Sequence, residues 1–563
     1  MERVAVINVC GLDWAFIERL EKPSRFAGLS QLAYRSNMTP PYPPDPVLAS
    51  AMHATGLGPG EHALFQAACL NSNISGSGQF VDKGKNDLMK YHVARFFAKN
   101  NVPCLWYRGL YSGTPISSNE VVMKSLGLSA PINSEAPILD PLVEPSALFE
   151  IAVTEDACEV VGLGKIEGLK VEQVDNGKRL KVSYFGENML VERGGMTRKL
   201  PFAIGDKNFR FRVVFSLEGP KPLLLVCDHN PTATNSAVSN PEELAWIVEE
   251  HIGGPLNFGR WAEFEAARLG LVDSTHFIAE ISSHLNRSLQ FALSAIEDGN
   301  YKFIYVWEES FELVRRIAAS FLDFDHPRFN PEKASICEKM LLDMLLALDS
   351  SIEKILKLAE KKDWLVMLVS DYSLAPYRIG FDLNRWLVSE NFAAGEVGPN
   401  KNWGFDWKNT RAFSVGPLIY VNLYGSMPNG IVMAGSEEER LIKEISERLK
   451  KLECPITHER AVRKVRRIRR TYSGRHLLEG PALVIGLFGG YRISAGDEIF
   501  SINSTFEGAG RLGLDPEVVQ GFVMSNCKIF SESRAVDIFA TVVKSLGFEL
   551  PRRVEGRCLL NIS

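Results

Sequence analysis

The sequence is poor in several of the signals that announce a function. Its nine cysteines are scattered, with no C-x-x-C pair and no spacing of a disulfide framework, so a reduced, cytoplasmic setting is expected. The ten histidines form no H-x-H or H-E-x-x-H pattern, which removes the common zinc-hydrolase signatures. No apolar run approaches membrane-spanning length, and the stretch opening "MERVAVINVCGLDW" is too short for a signal peptide, so no membrane association is expected. A net charge of -5 offers no electrostatic reason to bind nucleic acid. Internal repeats and low-complexity segments are missing too.

What is present is a regular alternation. Short β-rich apolar runs end in small or acidic residues: "VAVINVC" before Gly11-Leu12-Asp13, "KFIYVW" before Glu308-Glu309, "WLVMLVS" before Asp371, and "LIYVNL" before Tyr424-Gly425. Between them lie helical patterns such as "CEKMLLDMLLALDSSIEKILKLAEK", apolar at i, i+3, i+4. Buried strands alternating with amphipathic helices predict an α/β domain with a mostly parallel sheet. Ligands of such sheets bind beyond the carboxyl ends of the strands, where these polar residues fall. At 563 residues one large domain with a smaller one fits the length.

The region from Thr154 to Asn257 differs. "GLKVEQVDNGKRLKVSYFG" alternates apolar and polar residues around an Asn-Gly turn signal, and "FRFRVVFSLEG" and "KPLLLVCDHN" continue the strand pattern. The expected organisation is an α/β domain over 1–153 and 258–563, with a β-rich insertion over 154–257.

Five segments, in order, resemble the type I phosphodiesterase/nucleotide pyrophosphatase branch of the alkaline phosphatase superfamily. They are "PPYPPDPVLASAMHATGLGPGEHALF", "FLDFDHPRF", "LIYVNLYGSMPNGIV", "GLDPEVVQGFVMSNCKI" and the ending "DIFATVVKSLGFELPRRVEGRCLL". The resemblance implies an alkaline-phosphatase-like α/β fold. It also implies two-metal hydrolysis, in which Asp and His ligands hold two cations that activate a Thr or Ser nucleophile.

Carried over residue by residue, that ligand set is largely absent. The first ligand aspartate falls on Cys10, with Asp13 as an offset candidate. The nucleophile position falls on Pro46, and the nearest hydroxyl, Ser50, is four residues away. The Asp-x-x-x-His pair falls on Glu312 and Arg316, the Asp-His-Gly triplet on Asp371-Tyr372-Ser373, and the last histidine near Arg511. Only Asp371 is unchanged, with Glu312 a carboxylate substitute. The expectation is therefore a site with no metal and no cofactor.

Guanidinium groups are permanent cations whose donor fork matches carboxylate or phosphate. Arg316 and Arg511 either hold an anionic small molecule or simply neutralise Glu312 and Asp371. Asp371, Glu312 and Tyr372 are acid–base candidates, and Cys10 is a nucleophile candidate if nearby arginines lower its pKa. Each has a plainer alternative: Asp371 partners an arginine, Tyr372 fills space, and Cys10 packs as a small hydrophobe. Asp323, Asp325 and His326 match no recognised metal loop. The basic run "HERAVRKVRRIRRTYSGRH" reads as an edge strand with a charged outer face, and it lacks the aromatics that would suit single-stranded nucleic acid.

Three functions stay open. A metal-independent enzyme would act on a phosphate- or carboxylate-bearing small molecule. A pseudoenzyme would serve as a binding or scaffolding subunit with a protein partner. The remaining possibility is a working metal-dependent phosphodiesterase.

Overall fold

The computed structural model describes residues 2–22, 25–65, 92–107, 120–123, 148–153, 158–160, 164–198, 200–204, 207–217, 222–230, 239–240, 266–267, 271–397, 403–427, 429–478, 480–503 and 507–560. The chain divides into two compact units, one formed by Met1–Asn133 with Ser288–Ser563 and the other by Ser134–Arg287. The second unit contains the 154–257 stretch, whose end residues Thr154 and Asn257 lie outside the described residues.

In the first unit the main sheet is built from β1 (Arg3–Val9), β2 (Tyr34–Thr39), β3 (Cys104–Tyr107), β4 (Glu120–Met123), β5 (Phe303–Glu308), β6 (Trp364–Ser370), β7 (Gly521–Ser525) and β8 (Glu532–Arg534). Its order is β4-β3-β5-β1-β6-β7-β2-β8. The run from β4 to β6 is parallel, β7 is antiparallel to both of its neighbours, and β2 and β8 pair in parallel. This is the expected mostly parallel α/β sheet. Every residue of β5 and β6 is buried, which is why both read as near-continuous apolar runs.

Polar residues break that pattern near the carboxyl ends. Asn8, Tyr305, Glu308 and Ser370 are all buried there, and the register sets Asn8 against Trp307 on one side and Val369 on the other. Four helices carry the rest of the local frame: α1 (Trp14–Leu20), α2 (Pro46–Thr55), α3 (Ser310–Leu322) and α4 (Pro331–Lys362).

The basic run forms the strand Val462–Arg467, which lies at the edge of a second, antiparallel sheet. Its charges are answered locally: Arg463 and Lys464 meet Glu517, and Arg467 meets Glu439. Such pairing suits a solvated edge protected from further strand pairing.

Two antiparallel sheets hold most of the second unit's described strands. Leu169–Val174, Arg179–Tyr184 and Glu187–Glu192 form a meander, and a six-stranded sheet runs in the order Leu200–Ile204, Lys207–Phe215, Pro222–Asn230, Leu148–Val153, Cys158–Val160 and Gly164–Lys165. The Asn-Gly signal is a turn in which Asp175, Asn176 and Gly177 all take positive φ, at 55, 57 and 78°. Among the described residues no helix is long and apolar enough to cross a membrane.

Candidate functional site

The residues named from the sequence gather beyond the carboxyl ends of β1, β5 and β6, and each has a local reason for its position. After β1 the chain turns at Gly11 with φ +82°. A Cβ there would stand 2.7 Å from the Cα of Glu312, so only glycine lets the turn pass α3 this closely. Asp45 caps α2, accepting from the amides of Val47 and Leu48 at 3.0 Å each, and Pro46 takes the first helical turn. Proline suits that place because its fixed φ is helical and its missing N–H would have no helical partner. The position aligned with a nucleophile is thus an ordinary helix start.

Two clusters result. In the first, Asp371 accepts a hydrogen bond from Asn8 Nδ2 at 2.6 Å, and its other oxygen lies 2.8 Å from His53 Nε2. Both side chains of the His53–Asp371 pair are fully buried. The two atoms make no aligned hydrogen bond, so the pair is a close polar contact. His53 Nδ1 lies 3.1 Å from the Tyr305 hydroxyl, which in turn hydrogen-bonds Ser50. Burial and the nearby Asp371 push the Tyr305 phenol well above its ordinary range. Asp371 does not partner an arginine, contrary to one of the sequence alternatives. His53 of α2 stands beside it instead.

The second cluster is held by arginines. Glu312 accepts from Arg511 on one oxygen and from the Tyr372 hydroxyl on the other. The Arg511 guanidinium also sits 5.0 Å from the centre of the Tyr372 ring. Burial alone would lower the pKa of Arg511, but Glu312 and Tyr372 outweigh it and the net direction is upward. Arg316 lies only within 4.0 Å of Glu312, the expected i, i+4 partner, and makes its close ion pair with Glu507. The other Glu507 oxygen meets Arg492. Burial would raise the Glu507 carboxyl, yet the two guanidiniums hold it down to about 2.

Cys10 lies between the clusters, completely buried. Burial, followed by the charges of Asp371 and Glu312, pushes its thiol well above the ordinary value, which opposes thiolate formation. Burial likewise keeps the Tyr372 phenol protonated. Asp13 caps α1 by accepting from the Phe16 amide at 2.6 Å, and it also meets Arg315 and Ser373. It does not take up the place of Cys10. Asp323 and Asp325 are both bound by Arg378, while His326 accepts from the Arg328 amide at 3.1 Å and contacts Asn503.

The two cations implied by the motif resemblance do not fit this donor set. Both oxygens of Glu312 and one of Asp371 already accept hydrogen bonds from side chains of the protein, and the other Asp371 oxygen faces His53 Nε2 at 2.8 Å. Among the described residues no group of three or more His, Cys, Asp or Glu stands together as a cation site.

Arg492 and Glu507 were missed by sequence reasoning, and His53 carries only a weak sequence signal, being one of two histidines in the segment aligned with the nucleophile loop. Glu507 and Arg492 had none, since their pairing depends on how the chain returns to α3 from far along the sequence.

No family model and no curated protein sequence matches this chain. Solved structures similar along its length include murine ectonucleotide pyrophosphatase/phosphodiesterase 5, at 8% identity, covering 98% of this chain and 96% of that one, with a TM-score of 0.44. Phosphonoacetate hydrolase from Sinorhizobium meliloti 1021, in complex with phosphonoformate, is 10% identical over 97% and 96% of the two chains, with a TM-score of 0.46. A mutant of alkaline phosphatase PafA is 12% identical over 99% and 98%, with a TM-score of 0.42. All three are members of the alkaline phosphatase superfamily, the one the order of motifs resembles. The fold stands on the order of the main sheet itself.

Proposed function

We propose that this chain is a catalytically silent member of its fold class, acting as a binding or scaffolding subunit for a protein partner in a reduced, cytoplasmic setting. One observation carries the reading: the acidic groups at the strand edge are neutralised or hydrogen-bonded from within the chain, and they are buried. Glu312 has Arg511 and Tyr372, Glu507 has Arg316 and Arg492, and Asp371 has Asn8 and His53. Buried charges need such partners, and a substrate entering here would have to break them.

A second reading is a metal-independent enzyme acting on an anionic small molecule. The convergence of Arg316 and Arg492 on one carboxylate favours it, because paired guanidiniums are how proteins hold phosphate and carboxylate groups. In that case Asp371, with His53 beside it, supplies the base, and Tyr372 the proton donor.

The test is a set of hydrolysis assays on the purified protein with bis(4-nitrophenyl) phosphate, with and without added zinc, manganese and chelator, alongside metal analysis. The scaffold reading expects no turnover above background under any condition. Chelator-sensitive turnover with stoichiometric metal overturns both readings. Turnover that ignores chelator and is lost in Arg316→Ala selects the second.

A further inference from the structure

We propose that the loop from Tyr424 to Met433 is a docking surface for an acidic segment of a protein partner. Apolar side chains of that segment seat on Tyr424, Ile431 and Met433, and its carboxylates meet Arg440 and Arg470. The inference rests on the scaffold reading and supplies the surface a scaffold needs.

The loop lies in "LIYVNLYGSMPNGIV", one of the segments that carry the family resemblance, and the clusters at the strand edge use none of its residues. It is tied down from beneath. Asn422 is 1% exposed, and its Nδ2 reaches the carbonyls of Trp407, Thr410 and Asn429 at 3.3, 2.9 and 3.0 Å. Its own carbonyl accepts from the amides of Ile431 and Val432 at 2.9 and 3.0 Å. A Cβ on Gly430 would stand 1.9 Å from the Leu423 carbonyl oxygen, so only glycine lets the two arms of the loop close.

That frame decides which side chains face out. Leu423 pairs in parallel with Val432, and the Tyr424 amide donates to the Val432 carbonyl at 2.8 Å. Side chains alternate across such a pairing. Leu423 and Val432 are buried, so Tyr424, Ile431 and Met433 share the outward side, 67, 38 and 56% exposed. Single exposed apolar side chains are ordinary, whereas neighbouring ones on a fixed frame mark an interaction site. Each forfeits about 1.5–3 kcal/mol that burial would return. Tyrosine and methionine are enriched where proteins meet, and a frame fixed beforehand lowers the ordering cost of binding.

Charge at the rim selects the partner. The Met433 amide donates to the Glu437 carboxylate at 2.9 Å, where the helix Ser436–Lys450 begins. The carboxylates of its first turn are all engaged, Glu437 by that amide, Glu438 by Arg469 and Glu439 by Arg467. Arg467, and behind it Arg470, hold the Glu439 carboxyl below its ordinary value. Of the described charges on this rim, those with no carboxylate at ion-pair distance are Arg470 and Arg440, both exposed, the latter bonded to the Ser436 carbonyl at 3.3 Å. The surplus is positive and calls for carboxylates opposite. Glutamates interspersed among the arginines would be repelled by an anionic lipid surface, while a folded or extended protein segment can set its own charges between them, so a protein is favoured over a membrane.

The test pans a displayed library of random peptides on the full wild-type chain and titrates the selected peptides by fluorescence anisotropy. Selected peptides should be acidic with large apolar residues. They should bind Tyr424→Ser/Met433→Ser at least about tenfold more weakly than wild type, the loss of one hot-spot contact or more. Arg440→Gln/Arg470→Gln should bind about threefold more weakly, and added salt should reproduce that loss. Both double variants change exposed side chains and should melt with wild type; a variant that fails to fold would show these residues to be structural and overturn the inference. It is overturned too if no selected peptide is sensitive to Tyr424 and Met433, if the selected peptides are basic, or if the arginine variant binds unchanged. Tyr424-dependent sedimentation with phosphatidylserine vesicles would assign the surface to a membrane instead. Turnover in the hydrolysis assays would sink the scaffold reading by itself, whereas failure of the peptide titrations sinks this surface alone.

Discussion

Replacing Arg511 by methionine removes a guanidinium of similar length and leaves the carboxylate of Glu312 buried, with only the Tyr372 hydroxyl in close contact. The two side chains of the pair are 4% and 6% exposed, so solvent cannot take over the lost role. Breaking a buried ion pair by deleting one partner costs about 3–5 kcal/mol. The lost contact with the Tyr372 ring adds about 0.5–2 kcal/mol. Arg511→Met should therefore lose about 4–6 kcal/mol, read from urea unfolding of the purified chain. Glu312→Gln added to it removes the stranded charge, and the double variant should recover at least about 2 kcal/mol of that loss. A single-variant cost under about 1 kcal/mol, or a double variant no better than the single one, would refute the claim that Arg511 supplies the counter-charge.

Other perturbations probe separate parts of the site. His53→Ala removes a buried side chain beside Asp371 and leaves that carboxylate with Asn8 alone, and should destabilise by about 1–3 kcal/mol by thermal melting; a change under about 0.5 kcal/mol would mean the contact does not matter. Glu507 has a depressed folded-state pKa, so its contribution is present above its ordinary value of 4.5 and is lost as pH falls toward about 2. The stability gap between wild type and Glu507→Gln should shrink by roughly 3 kcal/mol from pH 6 to pH 2; a gap independent of pH would contradict that sign. Pro46→Ser restores a hydroxyl at the start of α2 and should change stability by less than about 1 kcal/mol, with no hydrolysis of bis(4-nitrophenyl) phosphate in zinc or manganese. Metal-dependent turnover in that variant would reopen the hydrolase reading.

The sheet was legible because fully buried parallel strands leave a blunt mark: β5 and β6 are apolar almost throughout, and each hands over to polar chemistry at its end. The Asp175-Asn176-Gly177 turn was legible because few residues accept positive φ. The site was legible in membership and much less in pairing. Motif order placed Glu312, Asp371, Tyr372, Cys10 and Arg511 near one another, but which cation meets which anion is a matter of a few ångströms. Asp371 took a histidine from α2 in place of an arginine, and Arg316 turned from its helical neighbour Glu312 to Glu507. Helical spacing alone favours the i, i+4 pair. A carboxylate presented by a distant segment won because it offers a closer contact.

Gly508 ties the two ends of this arrangement together. Its amide is bonded to the carbonyl of Arg316, and Arg316 stands one helical turn from Glu312 on α3. Any event that drew Glu507 out of its seat would therefore tug on the main chain of that helix, and so on the glutamate that Arg511 neutralises. The two patches of charge share one mechanical lever, and loosening either would be felt by the other.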